Sequence, residues 1–175
     1  MENKNLNKQI LSILVYNNPG IILRISGLFT RRGFNIESIG VGETEKRGMV
    51  RLTISTLVDD HAFDQIQKQL FKIIDVVKVS PIESINSVKK EMALIKIKVT
   101  DVTRDKLLHT IDVFKGKIVD INSEGLIVEI TGTIEKLESF IDMIDFNDIV
   151  EIVRSGVVAI NRWKKKENKN GKNLL

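Results

Sequence analysis

The sequence predicts an α+β protein made of two tandem βαββαβ units. Three observations carry that prediction. Apolar runs of strand length alternate with segments of helical periodicity; they follow the order strand, helix, strand, strand, helix, strand; and the order begins again about 83 residues along the chain.

The first unit opens with residues 9–16 (QILSILVY), a strand-length run that stops at the turn formers Asn17, Asn18, Pro19 and Gly20. Beyond them Ile21, Ile25, Leu28 and Phe29 recur at helical spacing while Arg24, Arg31 and Arg32 take other positions, and Gly33 supplies a stop. Residues 35–41 and 49–57 are β-rich runs around a polar loop bracketed by Gly42 and Gly48, the pattern of a hairpin. Asp59 and Asp60 offer a cap to a second helix with Phe63, Ile66, Leu70 and Ile73 on one face, and residues 76–79 return as a strand. Polar, unpatterned residues 83–90 are the predicted linker.

In the second unit residues 92–99 alternate as a strand, and Thr103 is the expected cap of a helix carrying Leu107, Leu108, Ile111 and Phe114. Residues 117–121 and 126–131 flank a Glu124-Gly125 turn. Thr133 caps a helix with Leu137, Phe140, Ile141 and Ile144, and residues 149–153 close the set. The predicted division is 9–82 for the first domain, 83–90 for the linker, 91–160 for the second domain and 161–175 for a basic, flexible tail. Both domains are expected to be ferredoxin-like, with two helices on one face of a four-stranded antiparallel sheet. Domains this small bury a modest share of their apolar surface, so pairing into a homodimer is expected.

Composition narrows the function. Of 175 residues 42% are hydrophobic and 29% charged, which suits a packed globular protein. The absence of cysteine removes disulfides, a thiol nucleophile and every thiolate metal site. The net charge of +4 invites a nucleic-acid reading, but residues 161–175 hold six basic side chains against one acidic, leaving the body at −1. Aromatics at 5% leave few rings for stacking on bases, and Arg32-Gly33-Phe34 departs from an RNA-recognition signature at the residues that follow. Nucleic acid is therefore not an expected partner. Neither is a membrane, because no run of ~18 apolar residues occurs. The N-terminus shows no targeting pattern, so the chain is expected in the cytoplasm, or in the plastid stroma if its Lys/Asn/Ile bias reflects an organelle gene.

No catalytic constellation stands out. His61 and His109 lie in different halves without ligand spacing, so no metal site is expected, and Asp59-Asp60 reads as a cap rather than acid/base machinery. Gly40-Val41-Gly42 lacks the third glycine and following helix of a dinucleotide site. What remains is the junction from residue 15 to 22. A helix N-terminus leaves amide donors unsatisfied and carries partial positive charge, so Gly20, Ile21 and Ile22 are placed to receive a carboxylate. The Asn17 and Asn35 amides both accept and donate, as an amino acid's ammonium and carboxylate require. Ile21, Ile22 and Ile36 offer an apolar wall for a short branched side chain. An ordinary Asn-Asn-Pro-Gly turn is the plain alternative.

These stretches resemble a known family. Asn17-Asn18-Pro19-Gly20, followed by Arg24-Ile25-Ser26-Gly27-Leu28-Phe29-Thr30-Arg31-Arg32-Gly33-Phe34-Asn35-Ile36-Glu37-Ser38-Ile39, is similar to the N-terminal ACT domain of acetolactate synthase regulatory subunits. The likeness continues through residues 65–70, 75–79 and 91–96 to Arg154-Ser155-Gly156-Val157, covering about residues 9–162. It implies that the first domain is an ACT domain and that the chain is a non-catalytic regulatory subunit. It also implies a homodimer that activates a catalytic large subunit and confers valine feedback inhibition in branched-chain amino acid biosynthesis. Thiamine diphosphate, Mg and FAD are expected on that catalytic subunit and no cofactor on this chain; valine is the expected allosteric ligand. Asn17, Gly20 and Asn35 match the family's valine contacts. The alternative is a stand-alone ACT-type amino-acid sensor serving another enzyme or a transcription factor.

Overall fold

The computed structural model describes residues 6–83 and 85–163. The first half comprises β1 (Asn7–Tyr16), α1 (Ile21–Thr30), β2 (Ser38–Glu43), β3 (Met49–Val58), α2 (Asp60–Leu70) and β4 (Val76–Pro81). The second comprises β5 (Ser87–Lys98), α3 (Asp101–Val113), β6 (Lys117–Ile121), β7 (Gly125–Gly132), α4 (Ile134–Asp142), a 3-10 turn at Phe146–Asp148, β8 (Ile149–Arg154) and β9 (Val158–Asn161). All pairings are antiparallel, in the order β2-β3-β1-β4 in one sheet and β6-β7-β5-β8 in the other, with β9 added beside the start of β5. Both halves thus have the ferredoxin-like strand order, and the α+β expectation holds.

Each half has its own core. Ile21, Ile25, Leu28 and Phe29 of α1 and Phe63, Ile66 and Leu70 of α2 pack on Leu11, Ile13, Val15, Leu52 and Ile54. Leu107, Ile111, Leu137 and Phe140 pack likewise on Ala93, Ile95, Ile97, Val128 and Ile130, with Phe114 edge-on to Phe140 at 5.4 Å between ring centroids. The apolar spacing that predicted the helices is therefore the spacing of the buried side chains.

The sheets differ on their other faces. Along β5 every second residue from Met92 to Lys98 is exposed, so that face meets solvent. In β1 everything from Ile10 to Val15 is buried. The outer face of the first sheet carries Ser38 and Ser55 in register beside Ile10 in one row, and the small residues Gly40, Thr53 and Ser12 in the next. Against them lies the segment between β8 and β9, and Ile10 and Ile82 form a small core with its Val157 and with Ala159 of β9. Gly156 turns this segment with φ +72°, and a Cβ there would lie 3.2 Å from the Ser38 Cβ; a Cβ on Gly40 would lie 3.7 Å from the Val157 carbonyl oxygen. The backbones approach this closely because both surfaces lack side-chain bulk.

Three expectations require correction. The stretch 83–90 is not a polar linker throughout: Ser87–Lys90 is the start of β5 and pairs with β9, Ser87 opposite Asn161 and Lys90 opposite Val158. It is pinned further by Glu83 N donating to Asn161 Oδ1 at 3.3 Å, Asn161 Nδ2 to the Pro81 carbonyl at 3.1 Å, and Arg162 N to the Asn86 carbonyl at 2.8 Å. Polarity on a two-stranded edge looks locally like a linker, because the partner strand is some 70 residues away in sequence. For the same reason the expected tail does not begin at residue 161: Asn161 ends β9, and the tail beyond Trp163 lies outside the described residues. Third, α3 is capped by Thr100 rather than Thr103, which is instead the reciprocal member of its capping box.

Glu91, buried at the base of β5, accepts from Arg154 Nε and Nη2, both at 2.9 Å, while Arg154 Nη1 donates to Glu138 at 2.6 Å. Glu91 and then Glu138 raise the guanidinium above its ordinary range, although burial opposes the shift. This fork fastens β8 to β5 and α4.

Replacing Gly156 by alanine strains a positive φ and presses on Ser38, so urea unfolding of Gly156→Ala should show a loss of about 1–3 kcal/mol. Gly42→Ala, whose Cβ meets nothing within 4 Å, should stay within about 0.5 kcal/mol of the parent protein.

Candidate functional site

The candidate site is the junction of β1 and α1. Tyr16 ends β1, its amide donating to the Asp75 carbonyl at 3.0 Å, and Asn17 N donates to the Gly48 carbonyl at 2.9 Å. The chain turns through Asn18 and Pro19 to Gly20, the N-cap of α1, at φ 80° and ψ 4°. This left-handed conformation is where glycine costs least, so the sequence places glycine where the turn needs it.

The helix that starts here differs from the others. The N-terminal amides of α2, α3 and α4 receive the side chains of Asp59, Thr100 and Thr133. Gly20 has no side chain to give, and no side-chain cap is present on α1. Ile21 N donates to the Asn18 carbonyl at 3.2 Å, while among the described residues the amides of Ile22 and Leu23 have no acceptor. They carry the partial positive charge of a helix start, and no acidic residue lies in that first turn. An open depression lined by Asn17, Asn18, Pro19, Gly20, Ile21, Ile22, Leu23 and Ser26 lies over them.

The structure brings together four of the six expected site residues and separates two. Asn17, Gly20, Ile21 and Ile22 line the depression, with Asn17 and Ile22 exposed and Ile21 mostly committed to the core. Asn35 and Ile36 lie after α1, at the opposite end of the sheet, where Thr56 Oγ1 donates to the Asn35 carbonyl at 2.6 Å. Asn35 Nδ2 donates to Glu37 at 2.9 Å, and Ile36 packs partly against the core. Within one chain these two residues are not part of the depression. Leu23 and Ser26, on the exposed face of α1, line it without having been singled out; their i+3 spacing was the available signal.

Two further positions support the turn. Asp75, at the start of β4, accepts from Asn18 Nδ2 at 2.6 Å and from the Arg24 guanidinium. The Arg24 guanidinium is thus drawn to Asp75, and Arg24 is not among the residues lining the depression. Nothing in the local sequence pattern marks Asp75, because its partners lie more than 50 residues away.

Elsewhere, a cleft between the two halves is lined by Ser38, Ser55, Glu91, Glu138 and Arg154. Glu91, Glu138 and Arg154 are spent on one another, and the Ser38 and Ser55 hydroxyls on each other at 2.7 Å. Among the described residues no group of three or more His, Asp or Glu side chains is placed to hold a metal ion, and no helix is long and apolar enough to cross a membrane.

Comparison with known proteins covers both halves. Residues 11–78 match the family model described as the AHAS small subunit-like ACT domain, and residues 90–163 match that of the small subunit of acetolactate synthase. The chain is 45% identical over 152 residues to the acetolactate synthase small subunit of Mycolicibacterium smegmatis, covering 87% of this chain and 89% of that one. It is 40% identical to that of Buchnera aphidicola over 156 residues, covering 89% and 99%. Its fold superposes on the crystal structure of the acetolactate synthase small subunit from Thermotoga maritima with a TM-score of 0.85 and 44% identity, covering 90% of this chain and 99% of that one. With both halves matched in order, the chain belongs to the acetolactate synthase small-subunit family.

Proposed function

We propose that the chain is a non-catalytic regulatory subunit that activates an acetolactate synthase catalytic subunit and makes it sensitive to valine. The observation that carries this reading is the α1 N-terminus: two amides without an acceptor, an uncapped glycine turn, and an open depression edged by Ile22 and Leu23. A helix start of this kind receives a carboxylate, Asn17 is at hand for the ammonium, and the apolar edge suits a branched side chain. The thiamine diphosphate, Mg and FAD of the reaction remain with the catalytic subunit. The outer sheet face on which an RNA reader would stack bases is occupied here by Val157 and Ala159, which supports a role without nucleic acid.

The separation of Asn35 from Asn17 supports a site shared between two copies. β2 is one of the two edge strands of the first sheet; unlike β4, which carries Lys78 and Pro81, it has two glycines and no proline or lysine to blunt it, and Ile39 and Val41 are exposed on the face that carries the helices. A two-fold axis through that edge pairs β2 antiparallel with its copy. Within a chain, Glu43 lies at the same end of the sheet as Tyr16 and Asn17, while Asn35 lies at the other. Antiparallel pairing sets the start of one β2 beside the end of the other, so Asn35 and Ile36 of one copy approach the Asn17–Gly20 turn of its partner. Inhibition is then a coupling free energy: valine prefers one arrangement of the assembly, at a family-typical scale of about 1–3 kcal/mol.

Reconstitution with an acetolactate synthase catalytic subunit tests the reading. The chain alone should condense no pyruvate, should raise the activity of the catalytic subunit, and should make that activity fall with added valine. Binding of valine without any effect on the catalytic subunit would favour a stand-alone sensor acting on another enzyme or a transcription factor. Leucine and isoleucine titrated in parallel decide the preferred side chain.

At position 20 a Cβ meets only Arg24 Nη1, at 3.9 Å, so Gly20→Asp has room, and its cost is the strain of a positive φ. That variant should fold and activate but lose valine inhibition, because its own carboxylate stands at the amides the ligand's would use. Asn35→Ala should weaken valine binding by about 1–3 kcal/mol in a titration. Val41→Arg at the exposed edge should shift the protein to monomer in light scattering and take the valine response with it. A dimeric Val41→Arg protein would place the interface elsewhere.

A further inference from the structure

The turn that forms the effector site contributes little to its own rigidity. Gly20 has no side chain, the Asn17 side chain makes no hydrogen bond among the described residues, and Pro19 and Gly20 are exposed. What ties it down comes from outside, and most of it converges on one residue. Asp75 is 8% exposed and stands at the head of β4. Its Oδ1 accepts from Asn18 Nδ2 at 2.6 Å, its Oδ2 from the Arg24 guanidinium, and its backbone oxygen from Tyr16 N at 3.0 Å. These three partners bracket the site, Tyr16 before the turn, Asn18 within it and Arg24 one helical turn after Gly20.

A buried carboxylate is costly unless it is paired, and here both partners of the side chain belong to the same turn and helix start. The arrangement also settles where a cation goes. Arg24 is a basic residue in the first turn of α1, where the helix field disfavours it and where a free guanidinium would compete with the Ile22 and Leu23 amides for an arriving carboxylate. Asp75 neutralises that charge by holding the guanidinium in an ion pair.

We propose that Asp75 is the positioning residue of the effector site, holding the Asn17–Gly20 turn and the first turn of α1 in the shape that receives an amino acid's carboxylate, without touching the ligand. This rests on the reading of that turn as the amino-acid site. The hold runs from β4, whose far end reaches Ile82 and the small core shared with the second half, so the clamp joins the site to the strand that leads out of the domain.

Three variants of the full chain test it: Asp75→Asn, the pair Asn18→Ala with Arg24→Gln, and Glu91→Gln as a control buried carboxylate in the other half. Each is read by calorimetric titration with valine, backbone amide exchange and thermal unfolding. Asp75→Asn should weaken valine affinity by about tenfold or more and speed exchange at the hydrogen-bonded amides of Asn17, Asn18, Ile21 and Arg24, while Ile13 and Leu52 stay protected. Glu91→Gln should lower the melting temperature and leave valine affinity unchanged. Should Asp75→Asn fail to fold, the Asn18→Ala, Arg24→Gln pair, which empties the clamp from its exposed side, decides by the same two readouts.

Valine affinity within twofold of the parent protein overturns the proposal, whatever exchange does. So does loss of protection that spreads evenly over the first sheet, since that is a general structural role. If the parent protein itself binds no valine, the effector reading falls. Unchanged exchange at the Asn17, Asn18, Ile21 and Arg24 amides would then overturn the clamp independently, and faster exchange confined to them would uphold it.

Discussion

A four-stranded sheet with both helices on one face leaves a second face either to water or to another layer, and the rest of this molecule follows from how each half meets that constraint. The first sheet is covered on both faces, which is why β1 is buried from Ile10 to Val15 without a break. The cover is the segment running from Gly156 through Val157 into β9, and it fits because Ser38, Gly40, Ser55 and Ser12 present almost no bulk. The second sheet keeps one open face, and β5 alternates accordingly.

That docking determines which surfaces remain for function. With its outer face occupied and most of its helix face filled by α1 and α2, the first domain keeps its two strand edges and its strand–helix turn, and the β2 edge and that turn are the features used by the proposed dimer and the proposed effector site. The second half shares the strand order but not the site. Its corresponding helix start carries the Thr100–Thr103 capping box, so the Thr103 amide is already taken by the Thr100 hydroxyl.

The docked segment lies directly on β2, with Gly156 against Ser38 and the Val157 carbonyl facing Gly40. The strand offered for pairing between copies is therefore the one that the second half touches. In the proposed dimer this contact would put the second half in direct touch with the strand that bears on the proposed site.

By itself the sequence determined what is local. Period-3.6 spacing of Ile21, Ile25, Leu28 and Phe29 and its counterparts set the helices, Asp59 and Thr133 set two of their starts, and glycine at position 20 marked a turn that needs a positive φ. From these the order of elements, the two-unit architecture and the turn where Asn17, Gly20, Ile21 and Ile22 line one depression were legible, because each depends on neighbours within a few positions. Only the tertiary structure decided what depends on distant partners. It converted residues 87–90 from linker to strand by pairing them with β9, placed Asn35 and Ile36 at the far end of the sheet from Asn17, and set Asp75 beside Asn18 and Arg24. A polar residue reads the same in sequence whether it faces water or a partner 50 positions away. The chain's return path through space is what distinguishes the two.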